Sequence, residues 1–509
     1  MLDLGTSFLA SVERDPDAMA IAEGDQTITY ADWYRRISAL VDGLGQIGLR
    51  KGDTLVTAMQ NRWENASLHW ACQLAGIVIT PVNWRVTADE LDHALRDSAT
   101  RVLVHDDAAS DAVAGSVLAH GLTVIPLGGD QGLAALLAGH APDAVPQAGP
   151  EDLSVMLYTS GTTSKPKGVP RRHRAERAAA IAHVAQNMYH HGERTLGVMP
   201  LYHTMGIRSL LSASVIGGAF ICLPRFDVPG ALNAIETHRV TNLYLVPTLY
   251  HDIVHHTAFT PDRVASVRKL GFAGASMTDG LLQKLAKVFQ PDLFVNHYGS
   301  SEIYTFSICQ DAVAKPGSAG RAAINQRLRV VPLGAEDVSE TCAPGEEGEI
   351  VACMQGDEAF EGYWNRPEAD RKAIRDGWYF TGDCGHFDDD GDLFVTGRAD
   401  DMIITGGENV SPVEVESCLS LHPAVAEVAV VGLPDARWGK VVAAFVKRAG
   451  DVTEGDLDAH CRNSDLSNFR RPRRYVFVRE IPKSPVGKLL RRLLVAGEYE
   501  AEPTETTPA

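Results

Sequence analysis

Short apolar segments alternate with amphipathic ones along the first 150 residues. The apolar segments have the length of strands and lie at Gln26–Tyr30, Thr54–Met59, Ile77–Pro81 and Val102–His105. Between the first two, apolar residues recur every three or four positions, as on one face of a helix, at Ile37, Leu40, Val41, Leu44 and Ile47. Helices inserted between short apolar strands predict a layered sheet with helices packed on its faces.

The same alternation returns in a second set from Leu153 to about Gln310. Its strand candidates are Phe220–Leu223, Asn242–Val246, Lys269–Phe272 and Leu293–Asn296. After Arg321 the runs shorten and turns separate them, which predicts a small β-rich subdomain. From Met402 onward, alternating helix and strand patterns predict a compact α+β unit. We therefore predict an α/β protein with a large N-terminal domain of layered α/β sheets, residues 1–399, and a small α+β C-terminal domain, residues 400–509.

Composition narrows the class of protein. The chain has 509 residues, 45% of them hydrophobic and 22% charged, which is typical of an ordinary soluble globular protein. The net charge of −18 argues against a general nucleic-acid or anionic-membrane binder, although it leaves room for a local basic pocket. The eight cysteines include no CxxC pair, so neither a zinc site nor a disulfide framework is indicated.

The sequence shows neither the pattern of a signal peptide nor that of a membrane-spanning helix. The first 20 residues lack the order of a signal peptide, and the longest apolar run, near Leu210–Leu223, is interrupted by Gly217 and Gly218. The sequence thus predicts a cytoplasmic protein with reduced thiols and no membrane insertion.

The segment Tyr158–Gly168, YTSGTTSKPKG, carries the densest chemistry of the chain. Its hydroxyl side chains, glycine backbone and lysine suit contacts with phosphate oxygens. The residues are Thr159, Ser160, Gly161, Thr162, Thr163 and Lys167. The glycine spacing differs from that of the G-x-x-x-x-G-K-[ST] loop. The segment therefore predicts a phosphate-binding loop directly after an apolar strand.

This segment resembles the phosphate-binding signature of the adenylate-forming superfamily, although Ser164 stands where that family usually has glycine. The other landmarks of the superfamily follow in order between about Asp17 and Leu494. They are PLYH at Pro200–His203, FAGA at Phe272–Ala275, YGSSE at Tyr298–Glu302, YFTGD at Tyr379–Asp383, GRADD at Gly397–Asp401, GGENVSPVEVE at Gly406–Glu416 and PKSPVGKLLRR at Pro482–Arg492. Seven ordered motifs make a chance match improbable.

The resemblance implies ATP and Mg²⁺ as partners of the large domain. Asp383, in a glycine-bounded turn, would accept hydrogen bonds from the ribose hydroxyls, and Arg398 would lie near the ribose or phosphates. Glu302 would hold Mg²⁺ on the triphosphate, as a hard oxygen ligand should. The adenine pocket and the α-phosphate contact would come from Gly274, Ala275, Ser276, Tyr298, Gly299 and Ser301.

Three further residues receive roles from the resemblance alone. Lys488 would reach the junction of substrate carboxylate and α-phosphate, where negative charge accumulates in the transition state. His203 would lie between the phosphate loop and the substrate carboxylate. Asp400 would be the hinge about which a mobile C-terminal domain rotates between the two half-reactions.

Within the superfamily the chain is most similar to aryl-CoA ligases of the chlorobenzoate and benzoate type. That similarity implies coenzyme A binding by Arg85, Trp438, Phe469 and Arg471. It places the acyl pocket at Thr204, Met205, Tyr244, Ala273, His297, Gly299, Tyr304 and Thr305. Three of these, Tyr244, His297 and Tyr304, bring hydrogen-bonding groups, so a polar substituent or a different ring is as compatible as a chlorinated one.

The leading interpretation is an ATP-dependent carboxylic acid–CoA ligase acting on an aryl or other compact acid. Two alternatives stay open: a medium- or long-chain fatty acyl-CoA synthetase, and a non-catalytic acyl-nucleotide binding or carrier-recruitment protein. A homodimer is one assembly compatible with such a chain. His251 and His255 have the spacing of a metal pair but no evident acidic third ligand, so the pattern favours a solvated helix face.

Overall fold

The computed structural model describes residues 2–159, 166–335, 337–398, 401–405, 408–464, 466–484 and 489–502. Its α-helices are α1 (Leu4–Arg14), α2 (Tyr30–Gln46), α3 (Trp63–Ala75), α4 (Ala88–Asp97), α5 (Ser110–Gly115), α6 (Leu133–Leu137), α7 (His173–Gln186), α8 (Thr204–Val215), α9 (Val228–His238), α10 (Pro247–His255), α11 (Asp279–Phe289), α12 (Pro367–Ala373), α13 (Pro412–Ser420), α14 (Glu454–Arg462) and α15 (Arg491–Ala496).

The strands are shorter and more numerous. They are β1 (Met19–Glu23), β2 (Gln26–Thr29), β3 (Thr54–Ala58), β4 (Val78–Pro81), β5 (Val102–His105), β6 (Thr123–Pro126), β7 (Leu153–Thr159), β8 (Lys167–Arg172), β9 (Arg194–Gly197), β10 (Ala219–Cys222), β11 (Asn242–Leu245), β12 (Lys269–Phe272), β13 (Leu293–Tyr298), β14 (Ser307–Cys309), β15 (Ser318–Ala322), β16 (Leu328–Val331), β17 (Gly348–Cys353), β18 (Ile374–Arg375), β19 (Trp378–Phe387), β20 (Leu393–Arg398), β21 (Ile403–Thr405), β22 (Glu408–Val410), β23 (Val425–Asp435), β24 (Gly439–Arg448) and β25 (Arg474–Phe477).

Two sheets with helices between them form the large domain. The first has the strand order β6-β5-β3-β4-β7-β8. Its strands are parallel from β6 to β7, and β8 pairs antiparallel with β7 at the edge. The second runs β16-β17-β19-β20-β15-β14-β13-β12-β11-β9-β10-β1-β2. Its half from β13 to β1 is parallel, and the half from β14 to β16 is antiparallel. The predicted β-rich subdomain is therefore continuous with the second layered sheet.

Aromatic side chains fill the space between the layers. Phe8 of α1 stacks on Trp70 of α3 with ring centroids 4.7 Å apart, and Trp33 of α2 meets Phe8 edge-on at 5.4 Å. All three rings are buried, and burying each one stabilises the fold by about 2–3 kcal/mol. Elsewhere a capping box joins Thr87 and Glu90 at the start of α4, which satisfies backbone N–H groups of its first turn.

A separate sheet forms the smaller C-terminal domain. Its order is β22-β21-β24-β23, and β25 pairs in parallel with β24. Apolar residues of α13 and α14, including Val415 and Leu457, pack against it. The predicted fold class is thus confirmed. Among the described residues, no helix has the length and apolar character needed to cross a bilayer.

The topology gathers the chemical motifs at one edge. Gly274–Ser276 lie just beyond β12, and Tyr298 ends β13 with Gly299–Glu302 directly after it, both at the carboxyl ends of parallel strands. Thr159 ends β7, opposite Lys167 at the start of β8. In open α/β sheets, ligands bind outside the carboxyl ends of the strands.

Candidate active site

Asp383 and Arg398 face each other across two antiparallel strands. They are register partners in β19 and β20, and Arg398 Nε lies 3.2 Å from Asp383 Oδ1. The Tyr298 hydroxyl donates to Asp383 Oδ2 at 2.7 Å. Desolvation and the neighbouring carboxylate raise the pKa of Tyr298 well above its usual value, which keeps the phenol a donor. The carboxylate is thereby held in one orientation while Arg398 reaches solvent.

The expectation that Asp383 occupies a turn is wrong. It lies within the ten-residue strand β19, where Gly382 has φ +72° and the pairing with β20 shifts register beyond Cys384. A residue in the left-handed conformation and a bulge change the direction of side chains without ending the strand. Gly382 is therefore needed for an irregularity within β19, because glycine adopts a positive φ without strain. The Asp383 N–H donates to Thr381 Oγ1 at 3.1 Å, which supports the irregular segment.

Glu302 and Lys167 converge on the same tyrosine. The Tyr363 hydroxyl donates to Glu302 Oε1 at 2.7 Å, and Lys167 Nζ lies 3.8 Å from the centre of the Tyr363 ring. Desolvation lowers the pKa of Lys167 from its ordinary value, and Glu302 opposes that shift. A carboxylate and an ammonium are therefore both held against Tyr363, near the start of β8.

The residues predicted for the adenine pocket lie at the ends of β12 and β13. Gly274 has φ +83°, a conformation that favours glycine, and Ala275 and Ser276 continue from it to the surface. A Cβ on Gly299 would collide with the carbonyl oxygen of Tyr304, so only glycine fits there. The carbonyl of Ser301 accepts a hydrogen bond from Arg171 Nη1 at 3.3 Å.

His203 caps the N-terminus of α8. Its Nδ1 accepts from the Met205 N–H at 3.3 Å and lies 3.4 Å from Thr204 Oγ1. Thr204 and Met205, predicted for the acyl pocket, are buried in the first turn of this helix. A backbone hydrogen bond thus holds the imidazole at the N-terminus of a helix. The helix dipole favours negative charge at this end, so the position suits a group that contacts a carboxylate.

Five of the remaining predicted acyl-pocket residues are buried, namely Tyr244, Ala273, His297, Tyr304 and Thr305, whereas Gly299 is exposed. Tyr304 donates to Glu176 Oε2 at 3.0 Å, and Arg208 donates to the Tyr244 hydroxyl and, at 2.6 Å, to Thr305 Oγ1. Buried Ala273 directly follows β12. The polar tips of both tyrosines thus already have partners within the protein.

The four positions predicted for coenzyme A lie in two regions. Arg85 follows β4 in the large domain, with its guanidinium 3.6 Å from the Trp84 ring centre. Trp438, in the β23–β24 turn, and Phe469 are 48% and 40% exposed, and each carries the guanidinium of a neighbouring arginine, Arg437 or Arg470, over its ring. Arg471 forms an ion pair with Asp458. Among the described contacts, none joins Arg85 to the other three.

Six predicted site residues lie outside the described residues. They are Ser160, Gly161, Thr162 and Thr163 of the phosphate loop, the hinge residue Asp400 and the lysine Lys488.

Several buried residues at this site were not predicted from sequence. Arg171 forms a buried ion pair with Glu176, and its guanidinium stacks 3.8 Å from the Tyr304 ring centre. Tyr363 and Arg208 also lack a motif that would reveal them. The only sequence clue for Arg208 is a charged residue within the otherwise uncharged helix α8, where every residue but the last is buried.

Comparison with known proteins places these features in a family. The AMP-binding enzyme model matches residues 8–364, and the AMP-binding enzyme C-terminal domain model matches residues 414–488. A 4-chlorobenzoate–CoA ligase of an Arthrobacter species is 35% identical, covering 95% of this chain and 93% of its own. A long-chain-fatty-acid–CoA ligase of Mycobacterium tuberculosis is 31% identical, with 92% and 93% covered.

A solved structure agrees with these relatives. The o-succinylbenzoate CoA synthetase of Bacillus subtilis, in complex with its acyl-adenylate intermediate, superposes with a TM-score of 0.82 at 29% identity, covering 96% of this chain and 97% of its own. Fold and site therefore define an enzyme that activates carboxylic acids with ATP. The chain belongs to the AMP-binding enzyme family and is an AMP-forming acid–CoA ligase, which makes an acyl-adenylate and then a thioester.

Proposed function

We propose that this ligase acts on a compact carboxylic acid, with one ring or of similar size. The observation that carries the proposal is the packing of Tyr244, His297 and Tyr304, which are between 1% and 3% exposed. A long acyl chain would have to displace such side chains, and overpacking of this kind costs about 1–3 kcal/mol per site. The similarity to a 4-chlorobenzoate–CoA ligase supports the same substrate class.

Mg²⁺ fits the donor set at Glu302. The carboxylate is buried, and in the part of the chain that the structure describes only its Oε1 receives a hydrogen bond, from Tyr363. A carboxylate oxygen is the hard ligand that Mg²⁺ takes from proteins that bind nucleotide phosphates. Mg²⁺ would neutralise charge on the triphosphate, and Tyr363 would orient the carboxylate toward it.

The adenylation step would use the loop residues Ser160, Gly161, Thr162 and Thr163 around the phosphates. Asp383, fixed by Tyr298, would accept hydrogen bonds from the ribose hydroxyls. Lys167 and Lys488 would supply positive charge where the acid carboxylate meets the α-phosphate. His203, anchored on the α8 N-terminus, would contact that carboxylate.

The thioester step would involve the small domain. Trp438 and Phe469 offer exposed rings for stacking, and Arg85 and Arg471 offer charge for coenzyme A phosphates. We place the boundary of the domains between residues 399 and 400, with Asp400 as the hinge. The cytoplasmic location stays a prediction from the sequence.

The test is the kcat/KM of coenzyme A-dependent AMP release across a panel of acids. The panel is benzoate, hydroxybenzoate, chlorobenzoate, cyclohexanecarboxylate and dodecanoate. Preference for the ring acids is expected. Preference for dodecanoate would instead support the fatty acyl-CoA synthetase, and no coenzyme A-dependent AMP release with any acid of the panel would contradict the proposed substrate class.

A further inference from the structure

Arg208 places a positive charge under the proposed acyl pocket. It lies one turn into α8, after Thr204, and is 2% exposed. Its Nη1 donates to the Tyr304 carbonyl at 3.2 Å and to Thr305 Oγ1 at 2.6 Å, and its Nη2 donates to the Tyr244 hydroxyl. All three partners are residues that we assign to the acyl pocket, so a role for Arg208 in substrate binding rests on the proposed function.

This guanidinium has neutral partners only. The other buried arginine of the region, Arg171, is paired directly with Glu176. Among the described residues, no carboxylate forms an ion pair with Arg208, and its Nε has no hydrogen-bond partner. Buried Glu358 is the counter-charge that acts on it most, but Glu358 does not bond to it directly: its Oε1 accepts from Asn325 at 3.1 Å, and among the described residues its Oε2 has no hydrogen-bond partner. A buried charge without a directly bonded counter-ion is costly, so it is expected where a ligand supplies one.

Hydrogen bonding fixes the protons on two neighbouring histidines. Asn187 Nδ2 donates to the His183 carbonyl at 2.8 Å and lies 3.1 Å from His183 Nδ1, which must therefore accept. Asn187 Oδ1 then accepts from His297 Nε2 at 3.1 Å. Burial and Arg208 hold the pKa of both imidazoles well below its usual value, so both are neutral. His183 carries its proton on Nε2.

The result is a cluster rich in donors. The Tyr244 ring lies 4.8 Å from the His183 ring and 5.0 Å from the His297 ring. Because the Tyr244 oxygen accepts from Arg208, its own proton is available to donate. Within the described residues, Arg208 Nε and His297 Nδ1 have no hydrogen-bond partner. Arg208 Nε–H, the Tyr244 O–H and His183 Nε2–H are donors of this cluster, whereas His297 Nδ1 is an acceptor.

We infer that the substrate is a compact dicarboxylic acid, whose second carboxylate is bound by Arg208, Tyr244 and His183 while the first carboxyl is adenylated. A carboxylate accepts several charge-assisted hydrogen bonds and would supply Arg208 with a directly bonded counter-charge. A site built for such a group rejects the analogue without it, because its polar groups are then left unpaired.

The test compares matched acids with the full-length enzyme. The pairs are benzoate with isophthalate and butanoate with succinate, measured as kcat/KM of coenzyme A-dependent AMP release. The diacid of at least one pair is expected to exceed its monoacid by about a hundredfold. A preference for the monoacid in both pairs overturns the inference but leaves the compact-acid proposal standing. A preference for dodecanoate over all four overturns the proposed function itself.

Variants assign the preference to the cluster. Arg208→Met and Tyr244→Phe are each expected to lower the diacid-to-monoacid ratio by tenfold or more, and Arg208→Lys to restore part of it. Arg268→Met, which removes an exposed arginine paired with Asp292, is the control and should keep the wild-type ratio. An unchanged ratio in a folded Tyr244→Phe variant counts against the assignment. If Arg208→Met does not fold, Tyr244→Phe and the wild-type ratios still decide.

Discussion

Tyr298 and Asp383 are joined by a 2.7 Å hydrogen bond that links the end of β13 to the middle of β19. It couples the predicted adenine pocket to the carboxylate that we assign to ribose. Because the phenol is the donor, Asp383 keeps one oxygen engaged and the other directed to Arg398. The orientation of the carboxylate is thus set before nucleotide binds.

Removing this hydroxyl should weaken ATP binding. In Tyr298→Phe the Asp383 carboxylate loses a charge-assisted hydrogen bond, which contributes about 1.5–3 kcal/mol. The KM for ATP is expected to rise about tenfold or more, measured by ATP–pyrophosphate exchange with saturating acid. Tyr34→Phe, whose hydroxyl donates to the Ala144 carbonyl far from the site, is the control. Equal KM values in the two variants would contradict the role.

Lys488→Ala should separate the half-reactions. The lysine is assigned to the point where charge builds up during adenylation, and losing one such donor costs about a hundredfold or more. Adenylate formation should nearly stop, while thioester formation from preformed acyl-adenylate continues. Lys287→Ala, on the exposed face of α11, should behave as wild type. Equal damage to both steps would refute the assignment.

Asp400→Pro should have the opposite effect. Proline fixes φ and removes an N–H, so it restricts rotation at a hinge. Adenylation is expected to continue while thioester formation slows, because the small domain must present a second face for that step. Single-turnover measurement of each step provides the comparison. If both steps slow by the same factor, Asp400 is not the hinge.

The strands and the motifs could be predicted from the sequence because both are local. β5 and β12 begin and end at the residues that the sequence predicts for them. The contacts of the site are not local. Tyr304 is bonded to Glu176, 128 positions away in the sequence, and Arg208 is bonded to Tyr304, 96 positions away. No spacing rule connects such residues, so the buried polar cluster could be found only in three dimensions.

His251 gives a second example of this limit. The pattern favoured a solvated face, yet the side chain is 15% exposed. Its Nε2 lies 3.0 Å from the Ala426 carbonyl and its Nδ1 3.2 Å from Glu427, both in the small domain. The acidic neighbour missing from the local sequence comes from 176 positions away, where Lys483 also pairs with it at 2.8 Å.

Acid should destabilise the protein through its buried histidines. Burial lowers the pKa of His69 to about 3 and that of His173 to about 4, against 6.5 for the unperturbed group. Between these values the unfolded chain binds more protons, so stability is complete above about pH 6.5 and falls as the pH decreases. At pH 5 each histidine lowers the free energy of unfolding by about 2 kcal/mol relative to pH 7.5.

The measurement is urea unfolding between pH 7.5 and 5. His69→Gln should lose less stability over this range than the wild type, because one linked proton is gone. His120→Gln, an exposed histidine, should keep the wild-type dependence. A His69→Gln slope equal to that of the wild type would show that this imidazole titrates in the folded protein as it does in the unfolded chain.

Tyr304→Phe tests whether a pocket tyrosine serves the fold or the substrate. Its hydroxyl donates to Glu176 Oε2 at 3.0 Å, and Arg171 binds the other oxygen of that buried carboxylate. Without the hydroxyl, Glu176 keeps only one partner, and an under-satisfied buried acceptor costs about 1–3 kcal/mol. The free energy of unfolding should fall by that amount, while the relative kcat/KM values for benzoate, hydroxybenzoate and chlorobenzoate should change less than threefold.

Tyr250→Phe, which removes a buried hydroxyl that donates to the Leu243 and Gly271 carbonyls, is the matched control for stability. If stability is unchanged and discrimination among the benzoates shifts tenfold, the hydroxyl contacts the substrate and the Glu176 bond is exchanged on binding.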